Sequence, residues 1–94
     1  MNRRILARAA KDLAEIEAYI SMDSRDAAKA VASRLRKAFD LIASRPEVGR
    51  PTPIPGIREW SVPGLPYIIP YRVRSHRIEI LRVWHTGRER PSEW

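Results

Sequence analysis

Apolar residues recur at helical spacing in the first half of the chain. Residues 3–7 form a short apolar opening, which predicts a short strand. Two stripes with intervals of three and four residues follow: the first is Ala9, Leu13, Ile16 and Ile20, and the second is Ala28, Val31, Leu35, Ala38 and Ile42. Each stripe predicts one amphipathic helix whose apolar side packs against a sheet.

The ends of these helices are marked by polar residues and proline. Asp23 or Ser24 can cap the second helix, and Asp26 places a carboxylate in its first turn. Pro46 ends that helix, because the residue before a proline is disfavoured in the α region. Two antiparallel helices joined by a short turn are therefore expected.

The second half of the chain has the pattern of strands. Residues 47–56 contain three prolines and two glycines, which predicts a stiff, extended loop. Three strand candidates follow, at residues 57–62, 67–74 and 77–85, and Pro63-Gly64 between the first two predicts a type II turn. In the middle strand Tyr67, Ile69, Tyr71 and Val73 alternate with Ile68, Pro70, Arg72 and Arg74.

The third strand has apolar residues on both faces, which predicts an internal position in the sheet. Its expected faces are Ile78, Ile80 and Trp84 on one side, and Leu81 and Val83 on the other. Pro70 cannot donate to a ladder, so a bulge or an edge position is expected there. The predicted fold class is α+β, a single domain over residues 1–94. A short N-terminal strand and a two-helix hairpin pack on a small, mainly antiparallel sheet.

Composition narrows the function classes. Hydrophobic residues make up 44% of the 94 and charged residues 31%, which excludes a disordered basic tail. No apolar run reaches the roughly 20 residues of a membrane span, and no secretory signal opens the chain, so a cytoplasmic protein is expected. Cysteine is absent, and His76 and His85 alone cannot close a zinc site. No metal or other cofactor is implied.

The charge is dominated by arginine. The net charge is +7, and 15 of the 18 cations are arginine, including all eight in residues 46–94. A guanidinium presents a planar donor fork to carboxylates and phosphates. The surplus therefore predicts an acidic protein partner, a nucleic acid, or both.

Candidate chemistry lies on the predicted strands and the tail. Arg72 and Arg74 share a strand face, and Arg88 and Arg90 of the tail could join them in a phosphate- or carboxylate-binding surface. Trp60 and Trp94 are candidate stacking surfaces for bases. His85 could act as a general acid or base, paired with Glu59 if both face one cleft. An exposed strand arginine or a structural histidine accounts for the same residues without any chemistry.

The order of parts resembles the RelE/ParE superfamily of toxins from bacterial type II toxin–antitoxin modules. The resemblance is carried by residues 45–50 (RPEVGR), 67–73 (YIIPYRV) and 78–85 (IEILRVWH). It implies a small cytoplasmic toxin that inhibits growth, as in plasmid stabilisation, and that forms a hetero-oligomer with an antitoxin encoded beside it. The antitoxin is expected to wrap the toxin with an acidic or amphipathic C-terminal segment. The expected contacts on the helical hairpin are Leu13, Ile16, Ile20, Leu35 and Phe39.

The superfamily contains two activities, and they imply different roles for the same residues. RelE-like members cut mRNA on the ribosome without a metal, and that activity would use Arg72, His85, Arg88 and Glu59 as catalytic residues. The target-binding residues expected for this chain are Arg58, Trp60, Arg74, Arg90 and Trp94. ParE-like members instead inhibit DNA gyrase and are not known to use catalytic residues.

Departures from the nuclease pattern favour the gyrase activity. Glu59 and Ser61 stand where RelE-like proteins place lysines, and Ile68 stands where arginine is frequent. ParE-like inhibition of gyrase is therefore the expected function. An mRNA endonuclease is the alternative, and a non-toxic binding domain on the same fold is a third.

Overall fold

The computed structural model describes residues 1–87, which form two helices and a six-stranded sheet. The elements are β1 (Asn2–Ile5), α1 (Ala7–Ser21), α2 (Arg25–Ser44), β2 (Arg50–Pro51), β3 (Ile57–Ser61), β4 (Tyr67–Val73), β5 (Arg77–Ile80) and β6 (Trp84–His85). The strand order is β1-β5-β4-β3-β2, and β6 pairs with β4. The β1–β5 pairing is parallel and the other pairings are antiparallel, which confirms the predicted α+β class.

The second helix of the hairpin begins and ends where its capping residue and proline predicted. Ser24 is the N-cap of α2, and its hydroxyl accepts a hydrogen bond of 3.1 Å from the amide of Ala27. α2 ends at Ser44, immediately before the Arg45-Pro46 pair. In residues 1–87, neither helix is long and apolar enough to cross a membrane.

The turn between β3 and β4 also matches its prediction. Gly64 has φ of +76°, which position i+2 of a type II turn requires, and Leu65 N–H donates to the carbonyl of Val62 at 3.3 Å. Arg34 of α2 donates a hydrogen bond to the carbonyl of Pro63 in the same turn. The hairpin of strands is thereby tied to the helical layer.

The hydrophobic core lies between the helices and one face of the sheet. Its largest fully buried side chains are Leu35, Phe39, Ile42, Ile69, Tyr71, Ile78 and Ile80, all 0% exposed. Leu13, at 7% exposed, packs in the same core, while Ile16 and Ile20 are only partly buried. Leu13, Leu35 and Phe39 were expected on an antitoxin-binding edge, but in the free chain they are not on the surface. Burying an apolar side chain contributes about 1.5–3 kcal/mol, and here the sheet provides that burial.

The third predicted strand is interrupted, and this corrects its predicted faces. β4 contributes two residues between the pairs Tyr71↔Ile80 and Ile68↔Trp84, whereas the facing chain contributes three, residues 81–83. The extra residue is a bulge, and it lies opposite Pro70, whose missing N–H already weakens the ladder. The bulge expected at this proline is confirmed. Because one added residue reverses the alternation, Val83 enters the core and Trp84 shares the other face with Ile68, the reverse of the prediction.

Candidate functional site

The sheet face turned away from the helices is called the open face here. Residues paired across neighbouring strands share a face, so the register assigns its members. They include Arg50 of β2, Ile57, Glu59 and Ser61 of β3, Ile68, Pro70 and Arg72 of β4, and Glu79 of β5. Arg72 therefore lies on the open face, as the alternation of β4 predicted.

Three arginines converge on one carboxylate on this face, within the described residues. Arg72 Nε lies 2.9 Å and Arg74 Nε 3.3 Å from Glu79 Oε1, and Arg77 Nη2 lies 3.2 Å from Glu79 Oε2. Glu79 is 6% exposed, whereas the three arginine side chains are 35%, 55% and 48% exposed. This group is called the Glu79 cluster. It contains three positive charges and one negative charge, so its net charge is positive, and the ion pairs to Glu79 hold the three guanidiniums in place.

The ionisation of Glu79 follows from these contacts. Burial raises the pKa of Glu79, but hydrogen bonds from Arg72 and Arg74 and their positive charges outweigh burial. The result is a pKa below the ordinary value of 4.5. Glu79 is therefore a carboxylate at neutral pH, and its charge stabilises the fold.

Replacing Glu79 with glutamine is expected to lower the free energy of unfolding by about 1–3 kcal/mol at pH 7. The folded-state pKa lies below the unfolded one, so the ionised carboxylate stabilises the fold fully above the unfolded pKa and loses this effect as the pH falls through the folded value. The difference between wild type and Glu79→Gln should therefore shrink below about pH 4.5. Urea unfolding at several pH values measures it.

Glu17→Gln is the matched control for this change. Glu17 also faces an arginine, Arg36, at 3.2 Å, but both side chains are exposed to more than a third. The control should change the free energy of unfolding by less than about 0.5 kcal/mol. A Glu79→Gln difference that stays constant from neutral to acidic pH would contradict the role given to the carboxylate.

A second carboxylate lies in the middle of the open face. Glu59 is 5% exposed and lies 2.8 Å from Nη2 of Arg50, whose side chain is 71% exposed. Its cross-strand neighbours are Arg50 on β2 and Pro70 on β4. In the described part of the chain, the centre of the open face thus combines a neutral ion pair with apolar side chains.

Arg58 and Trp60 face the helical side of the sheet. Arg58 Nη1 donates to the carbonyl of Gly49 at 2.8 Å, and Trp60 packs against the core. Alternation along β3 separates both side chains from Glu59 and the open face. The structure does not bring these two predicted target-binding residues together with Arg72 and Arg74.

His85 also lies on the helical side. It pairs with Tyr67, a core residue, and the two rings meet edge to face with centroids 5.5 Å apart. His85 lines a cleft between α1 and β6 together with Asp12, Glu15, Ile16 and Tyr19. Glu59 is on the opposite face, so the acid–base pair considered for His85 and Glu59 does not form. The remaining candidates, Arg88, Arg90 and Trp94, lie outside the described residues.

Sequence reasoning missed Glu79 and Arg77. Glu79 stands between Ile78 and Ile80, so the alternation of β5 could have placed it on the face of Arg72. The pairing Arg72↔Glu79 that joins them belongs to the sheet register, which no local pattern specifies. Among residues 1–87, no group of three or more His, Asp and Glu side chains could hold a metal ion.

Comparison with known proteins gives consistent results. Residues 4–90 match the sequence model of the family described as the ParE toxin of the type II toxin–antitoxin system parDE. The chain is 45% identical over 84 residues to "Putative toxin Y4kP" of Sinorhizobium fredii, covering 89% of this chain and 86% of that protein. It is 40% identical over 81 residues to "Toxin RelE2" of Caulobacter vibrioides, covering 86% and 90%.

A solved structure shares the fold. It is a chain of the chromosomal ParDE toxin–antitoxin system from P. aeruginosa, with a TM-score of 0.78 and 25% identity over 90% of this chain and 95% of that chain. The match to the family spans nearly the whole sequence, and both relatives exceed 30% identity over most of their length. This chain belongs to the ParE toxin family of type II toxin–antitoxin systems.

Proposed function

We propose that this toxin inhibits DNA gyrase in the manner of ParE and is neutralised by an antitoxin encoded beside it. Membership of the ParE family supports the target, and the structural relative from a ParDE system supports an antitoxin partner. The observation that carries the proposal is the chemical character of the open face. Within residues 1–87, the cation paired with this centre is Arg50, and Glu59 neutralises its charge, so the centre has no net positive charge for RNA cleavage.

Metal-independent RNA cleavage needs positive charge around the phosphate that is attacked, because the transition state gains negative charge. The centre of the open face presents Glu59, Ser61, Ile68 and Pro70. The ion pair between Glu59 and Arg50 is neutral overall, so it adds no net positive charge that would attract a phosphate. This arrangement favours a toxin that acts by binding.

Two of the three described candidates for catalysis are also separated from each other. Arg72 lies on the open face, with its Nε bonded to Glu79 at 2.9 Å, and His85 lies on the helical side against Tyr67. A general acid or base must come within hydrogen-bond reach of the atom that it serves. Residues on opposite faces of one sheet do not converge on a single phosphate.

A groove beside Arg72 suits a protein target. It is lined by the apolar residues Leu6, Ile57 and Leu81 and by three arginines, Arg8, Arg72 and Arg82. Protein interfaces combine an apolar centre with a polar rim and are enriched in arginine. We assign this groove to contact with gyrase.

Purified toxin is expected to block gyrase supercoiling of plasmid DNA and to increase the amount of cleaved plasmid. Arg8→Glu should weaken this inhibition about tenfold, because a reversed rim charge opposes an electrostatically matched partner. Arg25→Glu makes the same charge change at an exposed residue of α2 that does not line the groove, and it should leave the inhibition unchanged. Normal supercoiling with folded wild-type toxin would refute the proposal.

A ribosome-dependent mRNA endonuclease is the second candidate, because one relative carries the name "Toxin RelE2". It would use Arg72, His85, Arg88 and Glu59. Induction would then leave codon-phased cuts in translated messages, and His85→Ala or Arg72→Ala would abolish them. Intact transcripts in cells that have stopped growing would exclude this activity.

A further inference from the structure

The Glu79 cluster is surrounded by polar residues at one end of the open face. Arg4 of β1 is paired with Glu79 across the parallel ladder and so lies on the same face. The connection from β4 to β5 adds Ser75 and His76, both exposed. The exposed large hydrophobic side chains of residues 1–87 are Met1, Tyr19, Met22 and Ile54, and none belongs to β4, β5 or their connection. The end of this surface formed by residues 74–77 is thus cationic and has no apolar anchor.

Glu79 holds the guanidiniums in place and leaves their outer nitrogens available. Arg72 and Arg74 both contact Glu79 through Nε, and within residues 1–87 their terminal nitrogens have no hydrogen-bond partner. Arg77 uses one terminal nitrogen, Nη2, and its side chain is 48% exposed. A braced guanidinium loses less conformational freedom on binding, and its planar fork matches the geometry of phosphate oxygens.

We infer that Arg4 and the Glu79 cluster bind the phosphate backbone of a nucleic-acid duplex. Four arginines and one glutamate give a local charge of 4 − 1 = +3. Backbone contacts by arginine need no apolar anchor, whereas a protein interface has an apolar centre. Binding of a single strand would call for aromatic stacking, and residues 72–79 contain no Phe, Tyr or Trp.

This binding deepens the proposed function, since it would hold the toxin on the DNA that gyrase acts on. The binding itself requires no gyrase. A binding assay without gyrase and the supercoiling assay therefore give separate results, and either can fail alone.

The test is fluorescence anisotropy of a labelled DNA duplex of about 20 base pairs with the full-length chain, between about 50 and 200 mM salt. The double variant Arg74→Ala/Arg77→Ala should weaken binding about tenfold. It should also lower the slope of log affinity against log salt by about 1–2, since each lost phosphate contact contributes about 0.9. Both side chains are about half exposed, and circular dichroism checks that the variant folds.

Lys29→Ala/Lys37→Ala is the control, because it also removes two positive charges, but from the exposed side of α2 and away from the cluster. It should change the affinity by less than about twofold. Equal losses in the two double variants would show that net charge alone binds the duplex, and would overturn the inference. Absence of measurable DNA binding would also overturn it, as would single-stranded RNA that binds at least as tightly through the same arginines.

Discussion

Asp12→Ala is expected to lower the free energy of unfolding by about 3–4 kcal/mol. The carboxylate of Asp12 accepts hydrogen bonds from Arg82 Nε at 2.7 Å, Arg82 Nη2 at 3.1 Å and the amide of Val83 at 2.9 Å. The side chains of Asp12 and Arg82 are 12% and 18% exposed. Removing the carboxylate leaves a largely buried guanidinium and a backbone N–H without their acceptor.

This contact explains how α1 holds the bulge between β5 and β6. Arg82 and Val83 are two of the three bulge residues, and both are bound by one side chain of α1. The hydrogen bond to Asp12 raises the pKa of Arg82, so its positive charge is secure. The loss of stability should therefore be accompanied by faster hydrogen exchange of the Val83 amide.

Urea unfolding followed by tryptophan fluorescence measures the change. Asp23→Ala is the control, since Asp23 is an exposed carboxylate in the turn between the helices, and it should cost less than about 0.5 kcal/mol. Asp12→Asn keeps one acceptor oxygen and should give an intermediate loss. An Asp12→Ala variant as stable as the Asp23→Ala variant would refute the role of the contact.

Gly49→Ala is expected to cost about 3 kcal/mol, because there is no room for a methyl group at this position. An added Cβ would lie 2.6 Å from Tyr71 Oη, 2.7 Å from Tyr71 Cε1 and 2.9 Å from the carbonyl oxygen of Glu59. Tyr71 cannot turn away, since it is 0% exposed and its hydroxyl accepts from the Gly49 amide at 2.8 Å and donates to the Pro46 carbonyl at 2.6 Å. These contacts anchor the loop after α2 to the sheet.

A double-mutant cycle tests this explanation. Tyr71→Phe alone should cost about 1–2 kcal/mol, because the Gly49 amide loses its buried acceptor. Removing the hydroxyl also removes the closest obstacle to the new Cβ, so the double variant should lose about 1 kcal/mol less than the sum of the single losses. Strict additivity would contradict the steric account.

Gly87→Ala is the matched control for adding a methyl group. Its nearest neighbours are ring atoms of His85 at 3.0 and 3.1 Å, and that side chain is only half-buried and can turn. The expected cost is below about 1 kcal/mol. The comparison separates an obstructed glycine from one that faces a movable ring.

Local sequence patterns correctly predicted those helices, caps and turns that depend on neighbouring residues alone. The stripes of Leu13 and Leu35 predicted helices with a buried side, because a period of 3.6 residues has few alternatives. Ser24 and the Pro63-Gly64 turn were predicted by residue chemistry that acts within four positions. The family resemblance, also carried by short segments, is confirmed by the match over residues 4–90.

The predictions failed where distant parts of the chain meet. The alternation of residues 77–85 placed Val83 and Trp84 on the wrong faces, because the bulge opposite Pro70 adds one residue to the strand. Leu35 and Phe39 were expected as antitoxin contacts, and in the free chain they are buried against a sheet whose strands come from before and after α2 in the sequence. Neither outcome is encoded in a local period.

The sequence by itself determined the helical hairpin, the α+β class, the turn at Gly64 and the surplus of arginine, because each follows from neighbouring residues or from composition. Only the tertiary structure decided which arginines act together. Arg72, Arg74 and Arg77 converge on Glu79 through the register of β4 and β5, and the same sheet separates His85 from Glu59. Side chains combine into a site according to strand pairing and sheet face, which are properties of the folded chain as a whole.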